Sequence, residues 1–159
     1  MSMKETLVVV GNGMVGHRFL EKLVDAGGLN QFNVVVFGEE IRPAYDRVHL
    51  SEYFTGKSAD DFSMVSEGFY EQPGLELVLD DTVTGIDRES CEVVSGKGRR
   101  QNYDRLVLAT GSYPFVPPVS GHDRNNCFVY RTIEDLEAIT EAARGSKVGA
   151  VVGGGLLGL

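Results

Sequence analysis

The chain has little of what would cross-link it or draw it to nucleic acid. Cys91 and Cys127 are the only cysteines among 159 residues, far apart and in no CxxC or CxxxxC pattern. Two isolated thiols suit a reducing compartment and speak against a disulfide framework. Basic residues are outnumbered, 15 Lys and Arg against 23 Asp and Glu, for a formal net charge of -8. That balance argues against a nucleic-acid or anionic-membrane surface, which needs a basic stripe. Lys97, Arg99 and Arg100 form the only tight basic cluster and read as a solvated hairpin turn. No apolar stretch approaches the roughly 18 to 20 residues of a membrane span. Residues 1–5 show no signal-peptide pattern, so a cytoplasmic location is expected. His17, His49 and His122 lack the spacing of a zinc site, and the carboxylates show no calcium-loop pattern. His17 reads as a helix-surface residue.

What is abundant is glycine: 20 residues, about twice the usual share. Much of the excess lies in two fingerprints at opposite ends of the chain. Gly11-Asn12-Gly13-Met14-Val15-Gly16 follows the apolar run Leu7 to Val10. Gly153-Gly154-Gly155-Leu156-Leu157-Gly158 follows Val148 to Val152 and reaches the last residue but one. The apolar and charged fractions, 42% and 24%, are those of a globular chain about one domain long.

The pattern between the fingerprints predicts an α/β fold. Leu7 to Val10 reads as a strand buried on both faces of a parallel sheet. A helix is expected from Met14 to about Ala26, with Val15, Phe19, Leu20, Leu23 and Val24 on its apolar face and Gly27-Gly28 ending it. Asn33 to Phe37 is the next strand and completes a βαβ unit. A short amphipathic helix is expected from Ser58 to about Gln72, then a strand over Glu76 to Leu79. Thr82 to Ile86, Glu92 to Ser95 and Arg100 to Tyr103 suggest a small antiparallel meander, and Arg105 to Ala109 a buried strand. Thr132 to Asp135 resembles a capping box opening a helix to about Ala143, followed by a last strand, Lys147 to Val152. The expected division is a domain over 1–145 and, over 146–159, the first strand and glycine turn of a second, truncated nucleotide domain.

Each glycine of a G-x-G-x-x-G turn has a mechanical task. Gly11 permits the turn, Gly13 lets backbone approach a diphosphate, and Gly16 lets the helix pack on the strand. The helix start at Met14 and Val15 then offers free N–H groups and a positive dipole end to the anion. Glu39 and Glu40 follow the second strand, where an acid would accept from ribose hydroxyls. Strand, turn, helix, strand and acid together point to a dinucleotide, without distinguishing FAD from NAD.

Tyr103 to Ser112, with Ala109-Thr110-Gly111 at its centre, resembles the ATG motif of two-dinucleotide flavoproteins. In that superfamily the motif lies beside FAD, and a later glycine fingerprint binds NAD(P)H. Pro43 to Ser51 resembles the P-x-Y-x-R-x-x-L-S pattern of rubredoxin- and ferredoxin-reductase-like enzymes, with Glu52 where those relatives usually carry a lysine. Gly11 to Phe19, Ala44 to Leu50, Ala109 to Pro114 and Phe128 to Leu136 together resemble the N-terminal part of the assimilatory NAD(P)H nitrite reductase large subunit.

The resemblance implies a Rossmann-like FAD-binding domain with a parallel central sheet and a small antiparallel β-meander. It implies FAD on Gly11 to Gly16, ribose contact from Glu40 in preference to Glu39, Arg47 along the flavin or its diphosphate, and backbone contact to adenine near Thr82 and Val83. It sets Ala109, Thr110, Gly111 and Arg131 close to the flavin, and Gly153, Gly155 and Gly158 at the opening of an NAD(P)H site. Electrons would pass from NAD(P)H through FAD to iron–sulfur and sirohaem centres encoded downstream, with a small nitrite reductase subunit as partner. These residues alone are expected not to reduce nitrite. Two alternatives remain open at this point: a flavin-dependent NAD(P)H reductase of ferredoxin or rubredoxin, and a non-catalytic nucleotide-binding module.

Overall fold

The structure, a computed structural model, describes residues 3–154. They form two compact units. The first contains the chain up to Val48 together with Asp60–Ser112; the second contains His49–Ala59 and the chain from Tyr113 onward.

The first unit is built on a parallel sheet of four strands in the order β3-β2-β1-β7, formed by β1 (Glu5–Val10), β2 (Phe32–Phe37), β3 (Leu75–Val78) and β7 (Arg105–Leu108). Both faces are covered at the central strands β1 and β2, which is why these read as apolar runs, whereas at the edge β7 leaves Leu108 exposed. Leu7 and Val9, with Val34 and Val36, point to one face, where Leu20 of α1 (Met14–Asp25) joins them and Phe19 and Leu23 pack alongside. Val8 and Val10, with Val35 and Phe37, point to the other, where they meet Val93. Val93 belongs to an antiparallel meander of β4 (Val83–Asp87), β5 (Glu92–Ser95) and β6 (Arg100–Asn102). Each such valine or leucine contributes about 1.5–3 kcal/mol by leaving water. The basic cluster at the β5–β6 turn is paired with carboxylates: Lys97 with Asp80 at 2.6 Å, Arg99 with Glu76 at 2.6 Å, and Arg100 with Glu92.

Several expectations need correction. The helix over 58–72 is absent; the structure has only short 3-10 turns at Ala59–Phe62 and Phe69–Glu71. Its backbone groups bond elsewhere, with Met64 N–H donating to Ala44 O at 3.1 Å and Phe62 O accepting from Asp46 N–H at 2.8 Å. Val15, expected on the apolar face of α1, is 74% exposed, whereas His17, expected on the surface, is fully buried.

In the second unit, α2 (Ile133–Arg144) starts at the expected capping box. Thr132 Oγ1 accepts from Asp135 N–H at 3.2 Å, and the Asp135 carboxylate accepts from Thr132 N–H at 2.8 Å. Ile133 and Leu136 are fully buried. The strand expected over 147–152 is not formed: residues 147–154 pair with no other strand, and Val148, Val151 and Val152 stand 73–88% exposed. A strand needs a ladder partner for its N–H and C=O groups, and apolar sequence alone does not supply one. Among the described residues, no helix is long and apolar enough to cross a membrane.

Candidate dinucleotide-binding site

Three strands of the first unit bring their carboxyl ends together at Gly11, the place where open parallel sheets bind ligands. Gly11 N–H donates to Phe37 O at 2.8 Å, and Ala109 N–H donates to Val10 O at 2.7 Å. Gly11 has φ +109°, and a Cβ there would strike the Ala109 carbonyl. A Cβ at Gly16 would strike the Gly11 carbonyl and touch the Ala109 methyl at 3.6 Å. These two glycines are therefore required by close packing inside the turn.

Gly13 is different. Its backbone is extended (φ -90°, ψ -168°), a conformation any residue can adopt, and a Cβ would find no atom within 4 Å. It is the N-cap of α1, yet no side chain caps the helix and no acidic residue lies in its first turn. The N–H groups of Met14, Val15 and Gly16 precede any intrahelical partner, and the dipole end is positive. Open space beside uncapped N–H donors fits a diphosphate, so the residues present suit a dinucleotide.

The acidic candidates separate in the structure. Glu39 is exposed, whereas Glu40 is held on both oxygens. Tyr45 donates its hydroxyl to Oε2 at 2.6 Å, and Arg47 Nη2 pairs with Oε1. The Arg47 guanidinium lies 4.7 Å from the centre of the Tyr45 ring. A carboxylate offers about four acceptor sites, so Glu40 retains capacity for ribose hydroxyls. Its charge is paired with Arg47, which limits repulsion of an anion near the turn.

Thr82 O accepts from Gly96 N–H at 2.7 Å, and Val83 opens β4 opposite Ser95 with its side chain against the sheet. Beyond β7, Ala109 is half-buried on the glycine turn, Thr110 is exposed, and Gly111 turns the chain with φ +71°. Arg131 and Gly153 belong to the second unit. Arg131 lies over the Tyr113 ring at 5.2 Å, and its N–H donates to Asp135 Oδ2 at 3.0 Å. Gly153 has φ +120° and open space where a Cβ would stand. Gly155 and Gly158 lie outside the described residues.

Five residues near the turn were missed in sequence. Tyr45 holds Glu40, and Asp81, buried, accepts from Ser95 Oγ at 2.7 Å and Lys97 N–H at 3.0 Å while its own N–H donates to Gly38 O at 3.1 Å. Asn12, Tyr70 and His17 form a hydrogen-bonded series behind the turn. Burial pushes the Tyr70 phenol up to about 12. His17 was detectable: it shares a helical face with Leu20, three residues on.

The family model for pyridine nucleotide-disulphide oxidoreductases matches residues 5–159. The chain belongs to that family. Members similar to it include the NADH nitrite reductase large subunit of Escherichia coli K12, 54% identical over 156 residues, which covers 98% of this chain and 18% of that protein. The assimilatory nitrate reductase electron transfer subunit of Bacillus subtilis 168 is 38% identical over 157 residues, with 98% and 20% covered. The chain thus spans about a fifth of the length of these curated relatives. Among solved structures, putidaredoxin reductase in its covalent complex with putidaredoxin is 29% identical, with TM-score 0.76 over 89% of this chain and 34% of that one. NADH:rubredoxin oxidoreductase from Clostridium acetobutylicum superposes with TM-score 0.81 over 98% of this chain and 40% of that one; at 22% identity it supports the fold alone.

Proposed function

We propose that this chain holds the FAD of an NAD(P)H-dependent nitrite reductase large subunit. The observation that carries the reading is the turn at Gly13: space left open beside uncapped helix N–H groups, on a chain 54% identical to a nitrite reductase large subunit. The N–H groups of Gly13, Met14 and Val15 would hold the diphosphate, Gly11 and Gly16 would set the turn, and Glu40 would take the adenosine ribose hydroxyls. Arg47 would hold Glu40 in place, and the backbone at Thr82 and Val83 would border the adenine. Ala109, Thr110 and Gly111 would border the flavin, and the family resemblance assigns Arg131 to it as well. Bound flavin supplies the redox chemistry, and these residues bind it and set its orientation.

In the longer protein, a domain opened by Gly153, Gly155 and Gly158 would bind NAD(P)H. Electrons would leave through iron–sulfur and sirohaem centres toward nitrite, with a small subunit as partner, in the cytoplasm. The first domain would run over 1–145. The 38% identity to an electron transfer subunit favours a second reading, in which the same FAD site feeds a separate acceptor protein. Titrating the chain with FAD tests the shared part. Saturable quenching of flavin fluorescence at one equivalent is expected, and a folded chain that leaves FAD fluorescence unchanged overturns it.

A further inference from the structure

Behind the glycine turn runs a series of polar side chains that diphosphate binding does not itself require. Asn12, between Gly11 and Gly13, has Oδ1 2.8 Å from the Tyr70 hydroxyl. That hydroxyl is 3.0 Å from His17 Nδ1, and His17 Nε2 is 3.1 Å from the Met64 carbonyl oxygen. His17 is fully buried, with the Phe69 ring edge-on at 5.0 Å and Glu21 Oε1 3.9 Å from Nε2. Asn12 Nδ2 is buried without a partner.

The protons in this series are set by its end. Met64 offers only a carbonyl, so His17 Nε2 carries a hydrogen and donates. In the tautomer with its hydrogen on Nε2, Nδ1 accepts and takes the single Tyr70 proton. The phenol oxygen is left as an acceptor facing Asn12, where Oδ1 would meet it oxygen to oxygen. Turning the amide over removes that clash, since Nδ2 then donates to Tyr70 Oη. The three hydrogen bonds from Asn12 to Met64 then run in one direction.

We propose that Tyr70 and His17 are positioning residues for the dinucleotide turn, acting through the Asn12 amide. The inference rests on the reading that this turn holds FAD. Asn12 is flanked by two glycines, the residues with most conformational freedom to lose. Gly11 is already tied to Phe37 through its backbone, and the Asn12 side chain gives surrounding structure a second handle on that stretch before a ligand arrives. Anchoring it to α1 through His17, and to the 3-10 turn Phe69–Glu71 through Tyr70, holds the peptide units on both sides with the Gly13 space open. Affinity then gains from preorganisation without a new contact to the cofactor.

The test is FAD affinity of the 159-residue chain, measured by fluorescence well below each variant's melting temperature. Tyr70→Phe, which removes one oxygen, should weaken binding about tenfold. Asn12→Ala should weaken it too, and the double variant should bind no worse than Asn12→Ala alone, because both act on one element. His17→Leu should match Tyr70→Phe, while His17→Gln, whose amide can accept from Tyr70 and donate to Met64, should recover most of the loss. Tyr70→Phe binding within about twofold of the unmodified chain overturns the proposal, as do fully multiplicative losses. Long-range proton–nitrogen NMR of the unmodified chain should show hydrogen on Nε2 and an accepting Nδ1, and the opposite tautomer also overturns it. An unmodified chain that binds no FAD defeats the cofactor reading, whereas unaffected variants of a binding chain defeat the positioning role alone.

Discussion

Gly13 and Gly11 stand two residues apart and should respond oppositely to one added methyl group. At Gly13 the backbone already suits an L-residue, and a Cβ meets nothing within 4 Å. Alanine there reduces the freedom of the unfolded chain, worth about 0.4–1 kcal/mol in favour of folding. It is also a poorer N-cap than glycine, which offsets the gain by about the same amount. Gly13→Ala should therefore melt within a few degrees of the unmodified chain. Its methyl would occupy the space assigned to the diphosphate and remove one or two charge-assisted hydrogen bonds, each about 1.5–3 kcal/mol. FAD affinity should fall at least about tenfold. Gly11→Ala has the other outcome, because its Cβ would lie 2.6 Å from the Ala109 carbonyl carbon at φ +109°. It should unfold at clearly lower temperature. Thermal melts and FAD titration of the two variants decide the matter. Gly13→Ala that binds FAD normally, or that is as unstable as Gly11→Ala, refutes the assignment of that space.

Other substitutions probe the surroundings. Tyr45→Phe deletes the hydroxyl on Glu40 and should weaken FAD binding by a few-fold, read in the same titration. Thr132→Ala removes the capping box of α2 and should cost about 1 kcal/mol in denaturant unfolding, with Thr132→Ser close to the unmodified chain. The hydrogen bond from Arg99 holds Glu76 below its ordinary value of 4.5, so the pair stabilises the fold above that pH and fades as pH drops through the lowered value. Both side chains are partly exposed, which limits the pair to under about 1 kcal/mol. Denaturant midpoints of the unmodified chain and Glu76→Gln should differ most above pH 4.5 and converge below it.

Features carried by local periodicity were legible in the sequence. The runs Leu7 to Val10 and Val34 to Phe37 are apolar throughout because α1 covers one face of the sheet and the meander the other. The turn was legible because Gly11 and Gly16 are imposed by close packing that no side chain tolerates. The 58–72 segment was not, because its fold is decided by partners in another segment: Ala44 and Asp46 take the backbone groups of Met64 and Phe62. The helical face that His17 shares with Leu20 was readable, but the partners that satisfy its ring, Tyr70 and Met64, lie 53 and 47 residues away and were not. Residues 147–152 have the composition of a strand and find no ladder among the described residues. Of the site, the sequence separated the glycines but gave no chemical ground between Glu39 and Glu40; the hold of Tyr45 and Arg47 on Glu40 was invisible there because it exists only in the folded chain.

The central claim is that a dinucleotide diphosphate sits at the N-terminus of α1, over Gly13. Backbone amide shifts of the isotopically labelled chain, followed while FAD is added, test it most directly. The largest changes are expected on the N–H groups of Gly13, Met14 and Val15, saturating together at one equivalent. Saturable FAD binding that leaves those three amides unmoved while others shift would contradict it.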